Sequence, residues 1–188
     1  SQTPADLLFI SSADSELTAI SEAITETNHK DSVRLASLNH LQHPMSVDLH
    51  LEQTAAKSKL VVIRVLGGMG YWQYGVEQYC SVLREKNIRF ALLPGDDKPD
   101  PELRGLSTIK DEDYDQLWGY LVEGGLENTG NFLKYTNSIL KADTTPPGPK
   151  PVLKAGVYWP GEGITSPRGI YKYWTSKQDV VPIIFYRA

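Results

Sequence analysis

Four short apolar runs, each separated from the next by a segment with helical spacing, constrain the fold of this chain most strongly. The run over 59–66 is almost wholly apolar and rich in β-branched residues, which is typical of a strand covered on both faces. It breaks at Gly67-Gly68, and we predict that it is the central strand of a sheet. The predicted strands span 6–13, 33–38, 59–66 and 88–95.

Between and after these runs, apolar residues recur at three- and four-residue spacing, as on one face of a helix. The first such segment would be capped by Asp14 or Ser15, and Gly124-Gly125 separates the last two. Strands that alternate with amphipathic helices favour a parallel sheet with right-handed crossovers. We predict helices over about 14–28, 47–55, 74–87, 111–123 and 127–141.

The predicted fold class is α/β: a flavodoxin-like or Rossmann-like parallel sheet with flanking helices, followed by a helical segment and a C-terminal strand. We expect one main domain, because 188 residues fit one core better than two. The predicted parts are an α/β core over 1–98, a helical segment of the same domain over 99–144, a proline-rich linker and extended segment over 145–179, and a strand over 180–188.

The last of these parts, from Val180 to Ala188, is a nearly continuous apolar run that suits a buried strand. No helix follows it to cover its faces. We therefore expect it to be the truncated beginning of a further region, which would make the chain a piece of a longer protein.

Composition argues against several classes of partner. The net charge is −4 and basic residues are scattered, so there is no positive patch for a nucleic-acid backbone. The apolar runs are far shorter than the ~20 residues that a membrane helix needs, and we expect no membrane association. The single Cys80 cannot form an intrachain disulfide, which favours a reducing, cytoplasmic location.

The glycines after the third predicted strand lie where open α/β sheets bind ligands, at the carboxyl ends of the strands. Gly67 and Gly68 match neither the dinucleotide-binding pattern nor the phosphate-loop pattern, so a tight turn is favoured over a nucleotide site. Tyr71, Trp72 and Tyr74 follow; such aromatics stack on macrocycles, anchor partners or, the favoured alternative here, pack into a core. These five residues are our candidate ligand or partner contacts.

Other polar residues predict no catalytic site and no metal ligand. Four histidines lie within 29–50, but their spacing fits no known metal motif. Acidic residues over 96–102 surround prolines and favour a solvated loop over a cation site. Ser11-Ser12 lacks the nucleophile elbow. The histidines are His29, His40, His43 and His50, and the acids are Asp96, Asp97, Asp100 and Glu102.

Four segments in order resemble the large subunit of the aerobic cobaltochelatase, the CobN family, which is related to the porphyrin-binding subunit of magnesium chelatase. They cover 60–188, whereas 1–59 matches only in its alternation of strand and helix. The Y-W-x-Y and F-Y-R-A motifs favour the cobaltochelatase branch of this family over the magnesium chelatase branch. The segments are LGGMGYWQYGVEQ over 66–78, YLVEGGLEN over 120–128 with NFL at 131–133, AGVYWPG over 155–161 and PIIFYRA over 182–188.

The resemblance implies a function for the parent protein. In this family the large subunit binds the corrinoid hydrogenobyrinic acid a,c-diamide and inserts cobalt, while AAA+ ATPase partner subunits hydrolyse ATP with Mg. This chain would be the N-terminal domain, with catalytic residues expected beyond Ala188. It would hold no cofactor, would be inactive alone, and would serve as scaffold, lid or surface for the remainder of the large subunit and the companion chelatase subunits.

Three alternatives remain open. Within the family, the chain could be the N-terminal domain of a magnesium chelatase large subunit. Outside it, a free-standing flavodoxin-like module could bind a small ligand or flavin at the strand ends around Gly67 and Asp96. A pure interaction module would use the aromatic residues from Tyr71 to Tyr74 as its anchor.

Overall fold

The computed structural model describes residues 3–27, 29, 31–152, 156–159, 161, 163–173, 181, 183 and 184. The chain divides into two compact units, 1–150 and 151–188. In the strand predicted over 180–188, the described residues 181, 183 and 184 lie outside any strand. The rest of that prediction falls outside the described residues.

The first unit is built on a parallel sheet with the strand order β2-β1-β3-β4. This confirms the predicted parallel α/β fold. The order begins as in flavodoxin-like folds, in which β1 lies between β2 and β3. The strands are β1 (Leu7–Ser11), β2 (Val33–Ser37), β3 (Leu60–Val65) and β4 (Arg89–Pro94).

Helices flank both faces of this sheet. They are α1 (Asp14–Glu26), α2 (Pro44–Gln53), α3 (Gln73–Glu85), α4 (Pro101–Leu106), α5 (Asp111–Glu123) and α6 (Gly125–Lys141), with 3₁₀ turns over Leu38–Leu41, Ala55–Lys57 and Met69–Tyr71. None of the helices in the described ranges is both long and apolar enough to cross a membrane.

Alternate residues of the strands face two separate helical layers, which gives the unit two cores. Leu8 and Ile10 of β1 pack with residues of α2 and α3, whereas Leu7 and Phe9 pack with residues of α1, α5 and α6. All four side chains are buried. Because both faces of the central strands are covered, these strands are continuous apolar runs rather than alternating ones.

Among the described residues, side chains and the backbone N–H of Thr108, rather than a fifth strand, close the outer edge of β4. The backbone N–H groups of Phe90 and Leu92 donate to Oγ1 of Thr108 and Oγ of Ser107, each at 2.9 Å. The carbonyl of Leu92 accepts from Oη of Tyr114 at 2.9 Å. These bonds occupy the polar groups that a bare edge would offer to another chain, so β4 is protected against strand addition.

The predicted cap of α1 at Asp14 or Ser15 is wrong. The helix already includes both residues, and Ala13 precedes it without a side-chain cap. Ser11 compensates, because its Oγ accepts from the N–H of Ala13 at 3.0 Å and donates to Oε2 of Glu16 at 2.6 Å. Only two residues separate β1 from α1, so the helix begins at Asp14. Asp14 and Ser15 therefore lie inside the helix and cannot precede it as caps.

Helix α4 follows the acidic loop after β4 and was not among the predicted helices. Oδ1 of Asp100 accepts from the N–H groups of Glu102 and Leu103 at 3.0 Å each. Pro101 occupies the first helical position, where its missing N–H removes no bond. Asp100 therefore starts a helix and is not simply part of a solvated acidic loop.

The second unit contains a small antiparallel sheet of β5 (Val157–Trp159) and β6 (Gly163–Thr165), followed by a 3₁₀ turn over Gly169–Lys172. Trp159 stacks on Tyr173 with the ring centroids 6.1 Å apart. Tyr158 and Ile164 pair across the two strands and are largely exposed. A two-stranded sheet of this size buries little apolar surface by itself.

Candidate functional site

The loop after β3 lies at the carboxyl edge of the sheet, and two glycines set its shape. Gly67 and Gly68 have φ angles of +85° and +73°, a region that residues with a Cβ rarely adopt. A Cβ on Gly67 would lie 3.3 Å from the Cβ of Tyr71, and one on Gly68 would lie 3.3 Å from Oδ2 of Asp100. Backbone conformation and close contacts thus account for both glycines without a ligand.

Trp72, one of the five candidate contact residues, belongs to the core. It is 4% exposed, and its Nε1 donates to the carbonyl of Leu41 at 2.8 Å. Its ring lies on Gly75, where an added Cβ would come within 1.9 Å of the indole. The ring centroids of Trp72 and Tyr79 are 5.3 Å apart. Trp72 therefore presents almost no surface to a ligand or partner.

Tyr71 and Tyr74 are the candidate aromatics that reach solvent. Tyr71 is 55% exposed and Tyr74 is 39% exposed. Oη of Tyr74 donates to the two carboxylate oxygens of Asp48 at 2.9 and 3.1 Å, and this hydrogen bond raises the pKa of Tyr74. Of the five candidates, two therefore shape the loop, one fills the core, and two remain available for contact.

An ion pair between Arg64 and Glu16, neither of them among the predicted site residues, ties β1, β3 and β4 together at the same edge. Arg64 of β3 is 4% exposed, and its Nη2 and Nε lie 2.9 and 3.0 Å from Oε1 of Glu16. Other N–H groups of its guanidinium donate to the carbonyls of Pro94 and Gly95. Ser11 donates to the second oxygen of Glu16 at 2.6 Å. The charge and the donors of Arg64 are thus satisfied within the fold.

This ion pair had a signal in the sequence. Arg64 interrupts an otherwise apolar central strand, and a buried charge requires a partner because leaving water is costly. The identity of that partner had no signal, because Glu16 lies 48 residues away on the first turn of α1.

The carboxyl edge of the sheet is acidic around the loop that follows β4. Asp96, Asp97 and Glu102 are exposed there, with Lys98 among them, and Oδ2 of Asp100 faces the Gly67-Gly68 turn. A phosphate or carboxylate placed at this edge would meet these carboxylates. The edge is therefore unfavourable for nucleotides and other anions, and favours neutral or cationic groups.

The four histidines lie in four separate environments. His43 caps α2, and its Nδ1 accepts from the N–H two residues later at 3.2 Å. Nδ1 of His50 lies 2.6 Å from Oη of Tyr79, and burial lowers the pKa of His50. Burial also lowers the pKa of His29, while His40 is exposed. Across the described ranges, no three His, Cys, Asp or Glu residues are grouped to hold a metal ion.

A second segment that carries the family resemblance, over 120–128, binds the prolines and lysine over 146–150, which we call the proline-rich segment. Asn128 is 2% exposed, and its Nδ2 donates to the carbonyl of Lys150 at 2.9 Å while its Oδ1 accepts from the N–H of Lys150 at 2.8 Å. Oη of Tyr120 donates to the carbonyl of Pro147 at 2.5 Å. Asn128 thus pairs with the backbone as a neighbouring strand would, and the proline-rich segment is docked on α5 and α6.

Comparisons with known proteins match the chain to aerobic cobaltochelatase subunits. It is 46% identical over 163 residues to subunit CobN of Sinorhizobium sp., a match that covers 87% of this chain and 13% of the relative. It is 34% identical over 189 residues to subunit CobN of Pseudomonas aeruginosa, covering 100% of this chain and 15% of the relative. The chain thus spans well under a fifth of either relative. No protein-family profile matches it.

Among solved structures, the chain is similar to the catalytic subunit of cobaltochelatase from Mycobacterium tuberculosis. The TM-score is 0.64 at 22% sequence identity, and the match covers 86% of this chain and 13% of that one. At this level of identity, the similarity shows a shared fold.

Proposed function

By sequence the chain belongs to the CobN family of aerobic cobaltochelatase subunits, and from that membership we propose that it is the N-terminal α/β domain of a cobaltochelatase large subunit. The parent protein would insert cobalt into the corrinoid hydrogenobyrinic acid a,c-diamide in cobalamin biosynthesis. The observation that carries the proposal is 46% identity to a relative of which the chain covers 13%. Such a match is typical of one domain of a much larger subunit.

The role proposed for this domain is supportive, as scaffold, lid or partner surface. The less exposed charged side chains near the carboxyl edge are engaged within the fold, since Arg64 binds Glu16 and Asp100 caps α4. The acidic edge also disfavours direct contact with ATP or with the carboxylates of a corrinoid. These features support a domain that is inactive by itself.

The remaining parts of the reaction take place in other regions of the large subunit and in other chains. Cobalt is the metal substrate, and AAA+ partner subunits hydrolyse ATP with Mg. The domain itself holds no cofactor in this scheme. Its partners are the remainder of the large subunit and the companion chelatase subunits, in the cytoplasm.

One competing function, a flavodoxin-like module that binds a flavin, is favoured by the strand order of the sheet. The carboxylates at the strand ends oppose it, because a flavin phosphate would lie among them. A purified chain with the yellow colour of bound flavin would support this alternative. The magnesium branch has less support, because both relatives are named for cobalt.

A cobalt-insertion assay tests the proposal. It compares the full-length large subunit with a variant that lacks residues 1–150. With companion subunits, ATP, Co²⁺ and hydrogenobyrinic acid a,c-diamide, the intact subunit should form the cobalt corrinoid and the deletion should lose this activity. Corrinoid binding by the deleted protein checks that the remainder is folded. The 188-residue chain alone should neither insert cobalt nor hydrolyse ATP. Failure of the intact subunit to insert cobalt, or ATP turnover by the chain alone, contradicts the proposal.

A further inference from the structure

A groove lies between α2 and α3 on the outer side of this helical layer. It has a volume of about 380 Å³ and is partly open to solvent. Leu51, Ala56 and Val82 give it an apolar base, with Leu51 buried and the other two half-buried. Tyr74, in the first turn of α3, donates to Asp48 in the middle of α2, and the two helices run in the same direction. The groove therefore has an apolar floor and two distinguishable ends.

The charges that line the groove are separated along its length. Asp48 and Glu52 lie on α2 in the first part of the groove. Lys57 and Lys86 lie just beyond the carboxyl ends of α2 and α3, with Glu85 beside them. A complementary occupant has an apolar middle, basic residues towards the first end and acidic residues towards the second.

The exposed face of α2 beside the groove also carries apolar residues. Met45 and Leu49 are 72% and 51% exposed and lie one helical turn apart. A groove with an apolar floor and charged walls, flanked by exposed apolar residues at this spacing, is the kind of surface that an amphipathic helix covers in helix-in-groove recognition. Covering it removes apolar area from water, which favours binding.

We propose that the α2–α3 groove receives an amphipathic helix from the part of the full-length large subunit that lies outside this chain. This inference rests on the proposed function, since the relatives are matched over 13% and 15% of their lengths. A helix on the same polypeptide reaches the groove at a high effective concentration, which favours it over a separate subunit or a second copy.

The charge pattern also sets the direction of this helix. Acidic residues are favoured in the first turn of a helix and basic residues in the last, because of the helix macrodipole. A helix antiparallel to α2 and α3 places its acidic first turn at Lys57 and Lys86. Its basic last turn then lies at Asp48 and Glu52, so dipole and side-chain charges agree.

Thiol labelling tests whether the groove is covered. Glu52→Cys places a thiol on the groove wall, and Glu22→Cys places a control thiol on the exposed surface of α1, in the opposite layer. The natural Cys80 is buried, and burial raises its pKa. Each variant is made in the 188-residue chain and in the full-length subunit, and the rate of reaction with a small maleimide is followed by mass spectrometry.

We expect the Glu52→Cys thiol to react at least about tenfold more slowly in the full-length subunit than in the chain, while the Glu22→Cys thiol changes less than about twofold. A second cysteine position checks that replacing Glu52 does not itself disturb the groove. Gln78→Cys should show the same protection in the full-length subunit, and adding Asp48→Lys should abolish it by repelling the basic end of the helix.

Equal rates for the Glu52→Cys thiol in the two proteins overturn the inference. Protection that arises after companion subunits are added also overturns it, because the occupant is then another chain. Protection of the 188-residue chain that grows with its own concentration does the same and identifies a second copy. The labelling needs no cobalt insertion, so its result stands apart from the test of the proposed function.

Discussion

The two helical layers of the sheet differ in how they are completed. On the layer of α1, α5 and α6, Asn128 binds the backbone of the proline-rich segment, and a Cβ on Gly119 would lie 2.7 Å from Cγ of Pro149. The layer of α2 and α3 instead has an open groove of about 380 Å³ and exposes Met45 and Leu49. One layer is therefore covered in part by its own chain, and the other offers apolar surface to a partner.

The interiors of the two layers also differ in their polar contacts. The α2–α3 layer contains a chain of contacts from the Leu41 carbonyl through Trp72 and Tyr79 to His50. The other layer is apolar around Phe9 and Phe132, whose ring centroids are 5.6 Å apart. The hydroxyls of two of its tyrosines bond to backbone at the margins, Tyr114 to the Leu92 carbonyl and Tyr120 to the Pro147 carbonyl. The aromatic and polar side chains are therefore in contact with one another inside the α2–α3 layer, whereas in the other layer these two hydroxyls bond to backbone at its margins.

The largest effect is expected for Trp72→Ala in the α2–α3 layer. The variant leaves a cavity and an unpaired Leu41 carbonyl, and should lower the free energy of unfolding by about 3–5 kcal/mol. Tyr71→Ala, at the exposed neighbour, should change it by no more than about 0.5 kcal/mol. Urea unfolding followed by circular dichroism measures both. Equal stability of the two variants would show that Trp72 is not part of the core.

A smaller effect is expected for Asn128→Ala in the covered layer. Loss of both bonds to Lys150 should lower the free energy of unfolding by about 1–3 kcal/mol and speed proteolysis of the proline-rich segment. Glu127→Gln is the matched control, because it removes the exposed ion pair with Lys150 and leaves the buried bonds intact. If both variants resist protease as the parent chain does, Asn128 does not hold the segment.

The smallest effect is a loss of stability in acid. Burial lowers the pKa of His50 and of His29 below the ordinary value of 6.5. Below pH 6.5 the unfolded chain therefore binds more protons than the folded chain, and the free energy of unfolding falls as the pH falls. About one pH unit above that value and higher, both states carry neutral imidazoles, and these groups add no pH dependence.

Single variants distinguish the contribution of His50, in the α2–α3 layer, to this loss of stability from the contribution of His29. His50→Gln should remove more of the acid sensitivity than His29→Gln. Burial alone lowers the pKa of His50, whereas at His29 burial is opposed by the charge of Asp31, which raises the pKa by more than Lys141 lowers it. Thermal unfolding above and below pH 6.5 provides the readout. Identical pH dependence in the parent chain and both variants would exclude these histidines as its source.

The sheet and most helices could be predicted because their signals are local. The run over 59–66 became β3 over Leu60–Val65, and α5 occupies the predicted range 111–123. Helix α4 was missed because its six residues are too few to show a helical period, although Asp100-Pro101 carried a start signal.

The candidate site could be predicted in place but not in detail. The glycine loop lies at the strand ends, where the alternation of elements puts it. Tyr71 and Trp72 are consecutive in an irregular turn, so no period indicates which of them is buried. That choice depends on the Leu41 carbonyl, which lies 31 residues earlier in the chain.

The sequence by itself determined the alternating α/β order, the parallel sheet and the family to which the chain belongs. Tertiary structure alone decided that Arg64 pairs with Glu16, that Asn128 binds Lys150, and that α2 and α3 leave a groove between them. The physical reason is the range of the forces involved. Strand and helix periods depend on neighbours along the chain, whereas charge pairing and surface cavities depend on how distant segments pack together.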